Sequence, residues 1–227
     1  MNTTCYIAPT LGVGTYAIPE AARYLGTNSQ TLRNWFVPSD REPAFHSDFE
    51  QRKGATAISF HDLIDAQVAV QLKQMDLSLQ RIRKVYHAMQ ENFGLRHPFC
   101  SSRLFTDGNE VFLHSAGAAG DDSFVEVLKL QHYFTEILKP FLRHVDYDEA
   151  VGLARRWHIH TNVVIDPNVY FGKPVVEGSR ISTQILAREY LANHQDAEYV
   201  ATLFDISEQQ VLSAFAFERD VNQLKVA

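Results

Sequence analysis

The sequence predicts a mainly α, α+β fold in three stretches: a helical head with a hairpin between its helices, a centre with a β-hairpin and a long helix, and a tail of short strands followed by three helices. Three observations predict it. Apolar residues recur at spacings of 3 and 4 over residues 60–93 and again over 124–141, the period of amphipathic helices. Short strand-like runs at 103–114 and 155–181 are punctuated by Gly, Asp and Pro in turn positions. Ser, Asn or Asp precedes most helical runs, where a side-chain oxygen caps free N–H groups.

The head opens with a helix over Ala17 to Gly26. Pro19 suits a first turn, where its missing N–H costs nothing, and Gly26 suits a helix stop. A second helix follows from Asn28 or Ser29 to Phe36, after a tight turn containing Gly26. Packing Ala21, Leu25, Leu32 and Trp35 together leaves Gln30, Arg33 and Asn34 facing outward. Residues 37–58 hold Pro38, Pro43 and Gly54, a stretch too long for a bare loop, so part of it is expected to form a β-hairpin. Ser59 caps a helix with Phe60, Leu63, Ile64, Val68, Leu72 and Met75 at its apolar positions. Ser78 opens another, with Ile82, Val85, Tyr86 and Met89, which Gly94 ends.

Next, Arg103 to Thr106 and Glu110 to His114 flank Asp107-Gly108-Asn109, a hairpin signal. Gly117 to Asp122 reads as a joint, and Asp122 caps a helix from Ser123 to about Arg143 that Pro140 kinks or ends. Arg155 to His160 forms a short strand. Val163 to Pro167 and Phe171 to Ile181 follow as strands with Gly/Pro turns. Ser182 or Thr183 opens the first tail helix, Asp196 caps the second, and Ser207 with Gln210 makes a capping box for the third. That third helix holds Val211, Leu212, Ala214, Phe215, Ala216 and Phe217, apolar nearly all round. It is expected to bury itself at a dimer interface, together with the 123–142 helix.

Composition bounds the function. With 45% hydrophobic and 21% charged residues the chain is no disordered polymer, and no apolar run approaches the roughly 18 residues of a membrane span. The first nine residues show no basic segment followed by a long apolar stretch, so no secretory leader is expected. Cys5 and Cys100 are too few for a disulfide framework, which fits a reducing, cytoplasmic setting. The net charge of −6 is unevenly spread. Residues 1–100 carry 10 Lys and Arg against 9 Asp and Glu, and the remainder carries 11 against 18. A near-neutral head can bind phosphates where its bases cluster.

Residues 15–93 resemble the winged helix-turn-helix head of MerR-type regulators. The resemblance rests on Glu20-Ala21-Ala22, on Thr31-Leu32-Arg33-Asn34-Trp35, on Ile58-Ser59-Phe60-His61-Asp62-Leu63, and on Leu77-Ser78-Leu79-Gln80-Arg81-Ile82-Arg83. Residues 161–221 resemble domain-of-unknown-function family 433 through Asp166-Pro167, Gly172-Lys173-Pro174-Val175-Val176 and Gly178-Ser179-Arg180-Ile181. This pairing is similar to antitoxins of VapBC-type toxin–antitoxin systems. The implied units are a DNA-binding domain at 1–94, a connecting region at 95–160 and a tail unit at 161–227. The resemblance also implies a PIN-fold ribonuclease toxin as partner, autorepression at an inverted-repeat operator in double-stranded DNA, and a homodimer. The usual MerR coiled coil and effector-binding cysteines are missing, so metal or redox sensing is not implied.

For DNA, Gln30, Arg33 and Asn34 are assigned to base edges or nearby phosphates, because their donors and acceptors suit the major groove. Thr27 and Ser29 stand at the helix N-terminus, where N–H groups face a phosphate. Arg52 and Lys53 belong to the expected wing. Gly178-Ser179-Arg180 reads first as a turn, with Arg180 as a partner-binding candidate. The alternative function is a stand-alone MerR-like regulator sensing a small ligand through residues 95–160. Enzyme readings are weaker. His158 and His160 point to one face of a strand, but no third ligand lies near in sequence, and no phosphate loop or nucleophile motif appears. No catalysis, no metal, no cofactor and no membrane partner are expected.

Overall fold

The computed structural model of the chain describes residues 12–38, 43–49, 56–104, 132, 136 and 138–223. Within these the fold is α+β, with helices packed on two small antiparallel sheets. In the head, β1 (Tyr16–Ala17) runs into α1 (Ile18–Tyr24), which Pro19 starts. Gly26, at φ 61°, lets the chain reverse, and the Thr27 N–H reaches back to the Ala22 carbonyl at 3.0 Å. The second helix, α2 (Ser29–Phe36), is capped by Asn28, whose side chain accepts from the Gln30 N–H at 2.7 Å. β2 (Ala57–Ile58) pairs with β1, Tyr16 opposite Ile58.

Helix α3 (Phe60–Gln74) is the centre of the head. Ser59 and Asp62 form a reciprocal capping box, and the helix is buried continuously from Asp62 to Val70. A helix buried all round must satisfy its polar groups inside the protein, and Asp62 and Asp65 are both 1% exposed. Helix α4 (Leu79–Phe93), capped by Ser78 and ended by Gly94 at φ 63°, packs Ile82, Val85, Tyr86 and Met89 inward. A 3-10 turn at Pro98–Cys100 then lies against α3.

Three expectations change. Residues 43–49 do not form a strand. They make a strap whose Phe45, 1% exposed, sits among Trp35, Phe36 and Tyr86 with ring centroids 4.8–5.8 Å apart. The ring removes more apolar surface from water there than it would on an extended wing. Residues 102–104 are helical, so the strand read at Arg103-Leu104 does not form, and Leu104 is fully buried. The rest of that hairpin, with the joint at 117–122 and most of the 123–143 helix, lies outside the described residues. What is described of that helix ends in α5 (Lys139–Leu142), with Pro140 in its first turn and Leu142 buried.

A four-stranded antiparallel meander follows: β3 (Val145–Tyr147), β4 (Ala154–His160), β5 (Val163–Ile165) and β6 (Val175–Val176), in the order β3-β4-β5-β6. Trp157 stands opposite both Val145 and Ile165. The sheet therefore joins strands from either side of residue 161. Three helices complete the tail: α6 (Thr183–Ala192), α7 (Ala197–Phe204) and α8 (Glu208–Gln223). Asp196 caps α7, accepting from the Tyr199 N–H, and Ser207 with Gln210 forms the expected box before α8.

The third change concerns α8. Its apolar girth is used inside the chain. Val211 and Ala214 are fully buried in the tail core, and Phe217, 2% exposed, packs against Tyr24 of α1 and His160 of β4. Of the 211–217 run only Leu212 is a large exposed hydrophobic, at 39%. The expected dimer interface is thus largely spent on joining tail to head, because Tyr24 and Phe217 exclude water from each other.

The same seam carries polar ties. The Tyr16 hydroxyl donates to the Gly172 carbonyl at 2.8 Å, and Lys173 donates to both Glu20 carboxylate oxygens at 2.6 Å. Gly172 is required twice over: its φ is +80°, and a Cβ there would overlap the Tyr16 hydroxyl. Gly172→Ala is expected to destabilise the chain by about 1–3 kcal/mol in urea unfolding. An unchanged midpoint would show that the seam carries no stability.

Candidate nucleic-acid interface

The placement of α2 follows from its three anchors. Leu32, Trp35 and Phe36 are 0–3% exposed and lock one side of the helix into the head core. The opposite side therefore faces solvent, and Gln30, Arg33 and Asn34 are exposed on it. These three are brought together as the sequence implied. Gln30 Nε2 donates to Asn34 Oδ1 at 2.8 Å, an i,i+4 contact that aligns two amides along the face. Arg33 Nη1 donates to Thr56 Oγ1 at 3.4 Å, which holds the guanidinium beside the chain entering β2.

The helix N-terminus differs in detail. Asn28 is the cap, and its oxygen takes the Gln30 N–H. The Thr27 N–H is committed to Ala22. Thr27 and Ser29 are half-buried at this end, so their side chains are partly open to a phosphate. Arg52 and Lys53 lie outside the described residues. Arg180 is exposed on the turn after β6, at the rim of a cleft of about 340 Å³ that Arg156, Asp166, Glu177 and Ser179 also line. Arg180 makes no ion pair with a carboxylate among the described residues; Arg156 takes Asp166, at 3.2 Å.

His158 and His160 do share a face, lining a cleft of about 700 Å³ over β4. His158 is held by Asp146 of β3 at 3.1 Å and by Glu177 at 3.4 Å.

Sequence reasoning missed a buried polar cluster beside α3. His97, 4% exposed, is bracketed by Asp48 Oδ1 at 3.1 Å and Asp65 Oδ2 at 2.9 Å. Burial alone would lower the His97 pKa, but hydrogen bonds to Asp48 and Asp65 outweigh it and raise the group to about 10. Asp62 is raised to about 6 by burial, despite the backbone N–H of Ser59. Asp48 is exposed enough that the His97 and Ser59 hydrogen bonds overcome its partial desolvation and hold it low. One signal pointed here: Asp65 falls beside Leu72 at the edge of the apolar stripe of α3, where a carboxylate needs a partner. Nothing local identified His97, 32 residues after Asp65, as that partner.

Residues 163–217 match the model of the family described as "Protein of unknown function (DUF433)". The chain is 29% identical over 187 residues to the protein described as "Putative antitoxin VapB45" of Mycobacterium tuberculosis, the alignment covering 73% of this chain and 78% of that one. Its fold is similar to that of the crystal structure of Rv2018 from Mycobacterium tuberculosis, with a TM-score of 0.71, 24% identity, and coverage of 88% of this chain and 96% of that one. No described helix is long and apolar enough to cross a membrane.

Proposed function

We propose that this chain is the antitoxin of a toxin–antitoxin pair, acting by binding rather than catalysis in the cytoplasm. The single observation that carries the reading is the likeness to an antitoxin-described protein over most of both chains. In this reading the α2 face supplies DNA contact, with Gln30, Arg33 and Asn34 at base edges and Thr27 and Ser29 near phosphates. Arg52 and Lys53 add contacts from the segment before β2. The tail unit, with the acidic excess, meets the toxin. A PIN-fold ribonuclease carries a basic RNA-binding groove that such a surface complements.

One head offers few phosphate contacts, and each neutralised phosphate contributes a salt slope of only about −0.9. A homodimer on an inverted repeat doubles that and makes the second contact intramolecular. Binding its own promoter in this way would repress the operon. The test co-expresses the chain with the product of the adjacent gene and probes the promoter fragment by gel shift. Growth rescue, co-purification of the neighbour and a shifted promoter band are expected. A neighbour that is harmless when expressed alone, or a promoter fragment left unshifted in dilute buffer, would overturn the reading.

A further inference from the structure

We propose that Asp48, His61 and His97 form a binding site for a transition-metal ion of the zinc class. Their ligand atoms all lie within 4.8 Å of one another. They come from three segments that sequence does not join: the strap at 43–49, the first turn of α3 and the chain after α4.

Each ligand is oriented by a partner outside the triad, as in protein metal centres. His97 directs Nδ1 to Asp65 Oδ2, which also accepts from the Tyr86 hydroxyl at 2.8 Å, so Nε2 is the nitrogen turned toward Asp48. His61 Nε2 meets the Ala154 carbonyl at 3.0 Å. A carbonyl only accepts, so Nε2 carries the hydrogen and Nδ1 keeps the lone pair a metal needs. The Ser59 hydroxyl donates to Asp48 Oδ2 at 2.7 Å and leaves Oδ1 for the ion.

Charge points the same way. Three carboxylates (Asp48, Asp62 and Asp65) surround one imidazole, and Asp65 Oδ1 is buried with no hydrogen-bond partner among the described residues. The Arg96 guanidinium, 68% exposed, pairs with Asp48 at 3.0 Å. On binding, the His97 Nε2–H bond breaks, the Nε2–metal bond forms and the proton leaves to solvent. Arg96 swings away from Asp48 Oδ1. A dication then replaces a single proton and adds one positive charge to an acid-rich pocket. Two nitrogens and one carboxylate oxygen suit zinc or cobalt over magnesium or calcium, which prefer oxygen alone. A tetrahedral site with bonds of about 2.0–2.2 Å has edges of about 3.4 Å. The Asp48–His97 edge, at 3.1 Å between Oδ1 and Nε2, already lies close to that length.

The test titrates the tag-free, chelator-stripped chain with Zn²⁺ by calorimetry and with Co²⁺ by visible absorption. One ion per chain is expected, with a buffer-dependent heat from the released proton and the ligand-field bands of a nitrogen–oxygen site. Asp48→Asn and His61→Gln should each weaken binding by roughly 10–100-fold or more, while His158→Gln, in the β4 cleft, should not change it. His61→Gln retains an amide donor for the Ala154 carbonyl, and far-UV circular dichroism checks that it folds. Absence of binding to the wild-type chain, or binding that His158→Gln removes and the other two leave intact, overturns the proposal. None of these readouts involves DNA or toxin.

Discussion

Arg33→Ala is expected to weaken binding to the promoter duplex by about 5- to 150-fold per head, the range of roughly 1–3 kcal/mol for losing a side chain that reads a base edge. In a symmetric pair both heads lose the contact, so the effect approaches twice that free energy when the heads act independently. Arg33 is the residue to test because, among the described candidates, it joins charge and exposure with a guanidinium held at Thr56. The hydrogen bond to Thr56 is exposed, so its loss should leave thermal stability within about 0.5 kcal/mol. Arg188→Ala serves as the control: it removes the same charge from α6, where the side chain is 74% exposed. Fluorescence anisotropy at two salt concentrations separates the two roles open to Arg33. Loss that is uniform across sequences, with a shallower salt dependence, marks a phosphate contact; loss confined to the operator marks base reading. Equal affinities for wild type and Arg33→Ala would remove α2 from the DNA interface.

Phe45→Ala should destabilise the chain by about 3–5 kcal/mol, the cost of a large cavity at a fully buried ring. The contact set explains the size. Trp35 and Phe36, which fix α2, and Tyr86, which fixes α4, all pack on this one side chain. The same residue on a solvated wing would cost within about 0.5 kcal/mol. Urea unfolding followed by far-UV circular dichroism discriminates the two, and a small shift would return residues 43–49 to the surface. Loss of Phe45 is also expected to loosen the strap that carries Asp48, since Phe45 and Asp48 are three residues apart.

Much of the local structure was written in neighbouring residues. The Asn28 cap, the Ser59–Asp62 box, the Gly26 and Gly94 stops and the Ser207–Gln210 box are short-range devices, and each appears where spacing places it. The outward face of α2 was legible for the same reason: Leu32, Trp35 and Phe36 define the inner side, and 3.6 residues per turn define the other. The strap, the fate of α8 and the buried cluster were not legible. Whether Phe45 or Phe217 finds a hydrophobic partner depends on chain that is distant in sequence, and an apolar residue reads alike at a core, a seam or a dimer interface. His97 posed the same problem in polar form, since its two carboxylates lie 49 and 32 residues away.

The amino-acid order by itself determined where helices begin and end, which face of α2 meets solvent, and that the charge excess falls on the second half of the chain, because capping, periodicity and charge are properties of adjacent residues. Only the tertiary structure decided that Phe45 belongs to the core, that α8 closes onto α1 through Phe217 and Tyr24, and that Asp48, His61 and His97 converge. Those outcomes depend on which remote segments exclude water together and which buried charges must find opposite partners. Such pairings are settled by the packing of the whole chain.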